Sequence, residues 1–219
     1  DHRDLHYPLR RQRQMCIRDR IQLVDTPPVN QEYVDPGMLD LIRRCDVVLL
    51  MVDVTDSPVR ELEETAAFLE QNNIVPVGVA IDAVDQRTYA KPFLVLVNKV
   101  DTSDMIELYE LFLELLDQEW LMVPVSAQTG WNIEEFKRTL FQLLNVIRVY
   151  SKAPDREPDF DQPFVLQQGS SIEEFAGRVH KDFVEKMKSA RVWGSSDFDG
   201  QLVGRDYVLQ DGDVVELRI

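Results

Sequence analysis

Phe93-Leu94-Val95-Leu96-Val97-Asn98-Lys99-Val100-Asp101 decides how this chain folds. Five apolar residues run without interruption into a polar tetrapeptide. A short continuous apolar run marks a strand covered on both faces, as in a parallel sheet. Ligands of open α/β sheets sit beyond the carboxyl ends of such strands, so the tetrapeptide stands where a ligand would be read. The Asp101 carboxylate can accept two hydrogen bonds, matching the side-by-side N1–H and N2–H₂ donors of guanine, a pair that adenine lacks. If buried and left unpaired by the wrong purine, it would cost a few kcal/mol. The Asn98 amide suits tying neighbouring loops together, and the Lys99 stem suits lying over a base plane. Alone, such a tetrapeptide reads as an exposed polar turn; its place after a buried strand, with two partner clusters elsewhere, makes it a site.

Those partners lie on either side. Ile21-Gln22-Leu23-Val24 alternates into Asp25-Thr26-Pro27-Pro28, a strand ending at an acidic turn. Asp35-Pro36 starts a helix carried by Met38, Leu39, Leu41 and Ile42. A second buried strand, Val47 to Val52, ends at Asp53, which reads as a structural turn residue, and Ser57-Pro58 opens the next helix. Residues 74–92 are ambiguous between a short strand and a loop. After the central strand, Ser103 or Asp104 caps a helix whose inward face is expected to use Ile106, Leu108, Leu111, Phe112 and Leu115. Trp120 to Pro124 is a further strand, ending in Val125-Ser126-Ala127, and Asn132 caps a helix carried by Phe136, Leu140, Leu143, Leu144 and Ile147. Alternating strands and helices predict a parallel sheet with helices on both faces.

Ser151 to Asp159 is polar and proline-bearing, and the expected linker spans 151–160. Beyond it come a strand at Phe164-Val165-Leu166 and a helix capped at Ser170 or Ser171. That helix is expected to present Ile172, Phe175, Val179, Phe183 and Met187 on one face. Late strands at Val192-Trp193 and Val214 to Ile219 complete a small α+β, ubiquitin-like roll.

The chain has 219 residues, a net charge of −15 and 44% hydrophobic content, in keeping with a globular protein. No apolar run approaches the ~20 residues that span a bilayer. Two cysteines and no secretion signal point to a reducing, cytoplasmic setting without a disulfide framework. Asp1 to Arg20 resembles translated sequencing-library adapter DNA: CGT CGG CAG CGT CAG ATG TGT ATA AGA GAC encodes Arg10 to Asp19. GAC CAC CGA GAT CTA CAC encodes Asp1 to His6. We therefore leave residues 1–20 out of fold reasoning as non-native. Without their six Arg and three Asp the net charge becomes −18, and only Cys45 and His180 remain of their types. That leaves little from which to build a zinc site or a histidine triad.

Asp25 to Pro28, Asn98 to Asp101 and Ser126-Ala127 follow three apolar strands in the order of the later nucleotide-binding motifs of a GTPase domain. Arg148-Val149-Tyr150-Ser151-Lys152, Pro158-Asp159-Phe160, Ser171-Ile172-Glu173-Glu174-Phe175 and Val192-Trp193-Gly194 resemble the TGS region of the Obg and DRG families. With the GTPase motifs, that resemblance spans nearly everything after Ile21. It implies the C-terminal part of a P-loop GTPase domain over 21–150 and a β-grasp TGS domain over 161–219. It further implies GTP and GDP as ligands, with Asn98, Lys99 and Asp101 reading guanine and the Ala127 N–H donating to the base oxygen. Ser126 would brace the loop, and Asp25 would hold Mg²⁺ through water. Expected partners are the ribosome or RNA, reached through Lys181, Lys186, Lys188 and Arg191, with no membrane association.

Three departures qualify what the resemblance implies. The position where the family has a glycine N–H touching the γ-phosphate is Pro28, which has no N–H. Val29 stands where many GTPases orient the attacking water with glutamine, so no residue is assigned as catalytic. No G-x-x-x-x-G-K-[ST] phosphate loop occurs in the 219 residues. About four missing charge-assisted bonds would remove roughly 6 kcal/mol, or ~10⁴-fold in affinity. These residues alone are thus expected to bind GTP negligibly, while the parent protein would hydrolyse it. The family's strand before that loop lies between those ending at Asp25 and Asp53. Its absence predicts either a gap in the sheet or re-pairing of the flanking strands. A second reading makes the protein a non-hydrolysing adaptor, its degenerate GTPase domain presenting the TGS module.

Overall fold

The computed structural model describes residues 21–27, 36–78 and 88–218. The segment 1–20 and the departures at Pro28 and Val29 lie outside the described residues. The described residues divide into two units, one within Val24–Asn145 and one within 146–218, with residues 21–23 grouped with the second.

The first unit is built on a parallel sheet of β1 (Val48–Asp53), β4 (Phe93–Asn98) and β5 (Met122–Pro124), in the order β1-β4-β5. The expected central strand is central: Leu94, Val95 and Val97 are fully buried, each contributing roughly 1.5–3 kcal/mol of burial. Its two faces feed two cores. Val95 and Val97 pack with Met38, Leu39 and Ile42 of α1 (Pro36–Arg44), with Leu62, Phe68 and Leu69 of α2 (Pro58–Gln71), and with Phe112 of α3 (Ser103–Glu114). Leu94 and Leu96 pack with Leu140 and Phe136 of α4 (Ile133–Leu144). Between α2 and β4, the ambiguous stretch supplies β2 (Ile74–Pro76) and β3 (Tyr89–Lys91), which form a separate parallel pair.

Three expectations for this unit are corrected. Ile21 to Val24 form no strand; Ile21, Leu23 and Val24 are exposed, and they have no ladder partner among the described residues. Extended segments need such partners to persist. Among the described residues re-pairing with β1 does not occur, β1 pairing there with β4 alone. The inward face of α3 is Met105, Tyr109, Phe112 and Leu116, while Ile106, Leu108, Leu111 and Leu115 are exposed. The cap of α3 is Thr102, whose hydroxyl accepts from the Met105 N–H at 3.4 Å; Ser103 already has helical geometry.

The second unit is a five-stranded mixed sheet, β7-β6-β10-β8-β9. Its strands are β6 (Val146–Ser151), β7 (Phe164–Gln167), β8 (Ser189–Trp193), β9 (Gln201–Val203) and β10 (Val214–Arg218). Because β6 pairs with β7 and β10, this unit starts ahead of the linker expected at 151–160. The helix starts at a complete capping box, Ser171 with Glu174, but stops early. His180 is extended and splits it into α5 (Ile172–Val179) and α6 (Lys181–Lys186). Ile172, Phe175 and Ala176 of α5 pack on Val149, Ala190, Val192 and Val215, and among the described residues no helix of this unit covers the opposite sheet face. No described helix is long and apolar enough to cross a membrane.

Candidate functional site

The tips of β1, β4 and β5 converge because their register is parallel: Asp53 lies beside Asn98, and Val97 beside Pro124. Beyond them opens a cleft of about 440 Å³ lined by Thr55, Asn98, Lys99, Asp101, Thr102, Met105, Ser126, Ala127 and Gln128. All five residues expected to read or brace a base line it.

Two side-chain bridges join the loop after β4 to the loop after β5. The Ala127 N–H donates to Asn98 Oδ1 at 3.0 Å, and Ser126 Oγ donates to Asp101 Oδ2 at 3.3 Å. Ser126 is fully buried, and its hydroxyl also accepts from the Thr129 N–H at 3.2 Å. The backbone adds a third link, Val100 N–H to the Val125 carbonyl at 3.0 Å. Asn98 thus ties the loops as its amide chemistry suggests, but it uses the N–H that Ala127 was expected to give a base. Asp101 is exposed, where the sequence argument treated it as buried.

Asp53 is the turn residue the sequence suggests, and it also takes a partner the sequence did not indicate, Lys99. Its Oδ1 accepts from the Thr55 N–H at 2.9 Å and the Thr55 hydroxyl at 2.7 Å. Its Oδ2 pairs with the Lys99 ammonium. Partial burial pushes the Asp53 carboxyl upward, but the Lys99 and Thr55 hydrogen bonds together outweigh it and hold the group below the usual aspartate range. The same hydrogen bond, which Lys99 donates to Asp53, holds Lys99 above the usual lysine range. Lys99 has a φ of +69°, a left-handed conformation that non-glycine residues adopt only when surroundings impose it. The signal available in the sequence was positional: two parallel neighbours that end together put Asp53 next to the tetrapeptide.

Asp25 is exposed and does not line the cleft. Its carboxylate is the hard oxygen donor that Mg²⁺ takes, usually with retained waters, yet no cluster of three or more acidic, His or Cys ligands occurs among the described residues. Of the four basic residues expected at a partner surface, three lie along α6 or just past it, and Arg191 lies apart. Lys181 and Lys186 lie on α6, with Lys186 paired to Asp182 at 3.4 Å, and Lys188 follows that helix. Arg191 alternates with the buried Ala190 and Val192 of β8, so it faces away from the helices, as does Trp193. Lys152 Nζ stands 4.4 Å over the Trp193 ring, and Arg191 Nε is buried without a hydrogen-bond partner.

Residues 147–219 match the family model described as the TGS domain. Developmentally-regulated G-protein 3 of Arabidopsis thaliana is 34% identical over 200 residues, covering 90% of this chain and 53% of that protein. The chain is Obg/DRG-like and carries a TGS domain. Ribosome-interacting GTPase 1 of Saccharomyces cerevisiae is 34% identical to the Obg/DRG-like chain over 128 residues, 58% of this chain and 33% of that one. The crystal structure of a GTP binding protein from Pyrococcus horikoshii OT3 superposes with a TM-score of 0.56 at 18% identity, covering 90% of this chain and 89% of that chain. At that identity the likeness is one of fold. The Obg/DRG-like chain spans about half the length, or less, of these curated relatives.

Proposed function

We propose that the first unit holds the guanine-reading half of a GTP-binding domain, in a cytoplasmic protein that hydrolyses GTP to GDP in ribosome-linked work. The double bridge from Asn98 and Asp101 to Ala127 and Ser126 carries this reading, because it aims two loops at one cleft beyond a parallel sheet. The relatives' names, one a developmentally-regulated G-protein and one a ribosome-interacting GTPase, support it. In this reading Asp101 accepts from N1–H and N2–H₂, and the Lys99 stem flanks the base with its tip held by Asp53. The Ala127 N–H turns from Asn98 to the base oxygen when the base arrives. Asp25 would hold Mg²⁺ through water, and the ion would offset phosphate charge. For ribosome or RNA contact, the sheet face opposite α5 fits better than the α6 lysines, because Lys152 stands over the Trp193 ring there, whereas Lys186 is already paired to Asp182.

The test is saturation-transfer NMR of guanosine, adenosine and xanthosine with the 219-residue chain. Guanosine is expected to bind, weakly, in the cleft, and adenosine is not. Asp101→Asn offers a donor and an acceptor in place of two acceptors, so preference should move from guanosine toward xanthosine. Equal transfer to guanosine and adenosine in the unaltered chain would remove the guanine reading. For the intact protein, GTP turnover separates the hydrolysing reading from the adaptor.

A further inference from the structure

Helix α3 carries a second apolar surface that the core does not use. Met105, Tyr109, Phe112 and Leu116 take the sheet-facing side. Around the helix from them, Leu108, Leu111 and Leu115 are 40%, 50% and 59% exposed. Their i, i+3, i+7 spacing sets them in one line, the pattern by which one helix seats another. Scattered exposed leucines are ordinary, whereas an aligned row marks an interaction surface.

The rim of this row has one sign. Asp104, Glu107, Glu110 and Glu114 occupy the neighbouring solvent side, and the sequence has no Lys or Arg between Lys99 and Lys137. None of these four acids is in an ion pair among the described residues. We infer that the Leu108–Leu111–Leu115 seam docks a basic amphipathic helix of a partner protein. Charge selects this occupant over the others. A second copy would bring the same acidic rim against itself in a chain of net charge −15, and nucleic acid or an anionic membrane would meet carboxylates with phosphates. A partner helix with leucines at matching spacing and Lys or Arg beside them satisfies the seam and the rim together.

The probe is a synthetic leucine/lysine amphipathic peptide of about three heptads, titrated calorimetrically into the 219-residue chain, with a leucine/glutamate peptide of the same pattern as control. The lysine peptide is expected to bind, more weakly in high salt, and the glutamate peptide is not. Substituting Leu108→Gln, Leu111→Gln and Leu115→Gln together should weaken binding roughly tenfold or more. Leu202→Gln, at a residue 60% exposed in the other unit, should leave binding unchanged. Because the seam is solvent-exposed, the thermal midpoint should hold; should the triple variant unfold, Leu111→Gln alone carries the test with a smaller loss. The inference is overturned if the Gln variants bind the peptide as tightly as the parent, which would make the attraction mere net charge. It is equally overturned if the glutamate peptide binds as well, or if sedimentation shows self-association that the Gln substitutions abolish.

Discussion

Ser126→Ala tests whether the cleft is held by the loop bridges or merely bordered by them. The side chain is fully buried, so removing its oxygen removes interactions and little else. Two hydrogen bonds disappear: the one its hydroxyl donates to Asp101 Oδ2 at 3.3 Å and the one it accepts from the Thr129 N–H at 3.2 Å. Both are at the long end of good geometry, which places each near the lower end of the usual range, and the Thr129 N–H is left without its acceptor. Together these give a loss of about 1–2 kcal/mol, and 1.4 kcal/mol is tenfold in an equilibrium constant. Native-state amide hydrogen exchange reads this directly. The Thr129 amide should exchange about tenfold faster, and the Ala127 amide should follow to a lesser degree because Asn98 still holds it. Guanosine binding should weaken alongside, since Asp101 loses the group that aims it. Exchange at Thr129 within twofold of the parent would refute the reasoning.

Three further outcomes are expected. In a double-mutant cycle with Asp53→Asn and Lys99→Met, nucleoside binding should show coupling: Asp53→Asn weakens guanosine binding in the parent and changes nothing once Lys99 is Met, while guanosine-over-adenosine preference stays with Asp101 throughout. Gly194→Ala should destabilise the second unit by about 2–4 kcal/mol in urea titration. Its φ is +123°, and a Cβ there would sit 2.7 Å from Asp213 Oδ1, in a buried carboxylate that accepts from Ser195 and Gln210. Gly212→Ala, also at positive φ but facing open space, should cost only about 1–2 kcal/mol. The Arg148–Asp211 pair should give pH-dependent stability. The Arg148 hydrogen bond pulls the Asp211 carboxyl down, against the upward push of partial burial. The pair's contribution is therefore complete above the ordinary aspartate value of about 4 and is lost as the pH falls from there through the depressed folded value. With the side chains 45% and 36% exposed, its size is about 0.5–1 kcal/mol. Thermal midpoints of Asp211→Asn and parent should therefore differ at pH 6 and converge in acid.

The parallel sheet and its cleft were legible because continuous apolar runs ending in polar clusters admit few other readings. Residues Phe93 to Val97 are covered on both faces, so every residue had to be apolar, and nothing else in the chain shows that run followed by an amide, an ammonium and a carboxylate. Helix α3 was misread for the opposite reason. Apolar residues ring it on nearly every side from Met105 to Leu116, so periodicity could not choose between the row that meets the sheet and the row that meets solvent. The α5–α6 break escaped because Val179, Phe183 and Met187 keep helical spacing across an extended His180, and all three reach the same core, from α5, from α6 and from just past the end of α6. Ile21 to Val24 alternates like a strand, but a strand is a property of pairs, and no single segment's pattern shows whether its neighbour is there.

If Asp101 reads guanine as proposed, its exposure changes where purine selectivity would arise. A carboxylate already buried would penalise adenine at once, by remaining unpaired in a dry site. An exposed one stays hydrated until a ligand covers it, so the wrong purine costs little unless other contacts force the base down onto it. The loop bridges supply aim, and the Asp53–Lys99 pair supplies one wall, yet neither excludes water by itself. Discrimination should therefore be modest for a nucleoside that only rests in the cleft and steeper for any ligand anchored elsewhere as well. In the proposed reading the strand tips would set which purine fits, and what presses the base into place would set how strongly the misfit is felt.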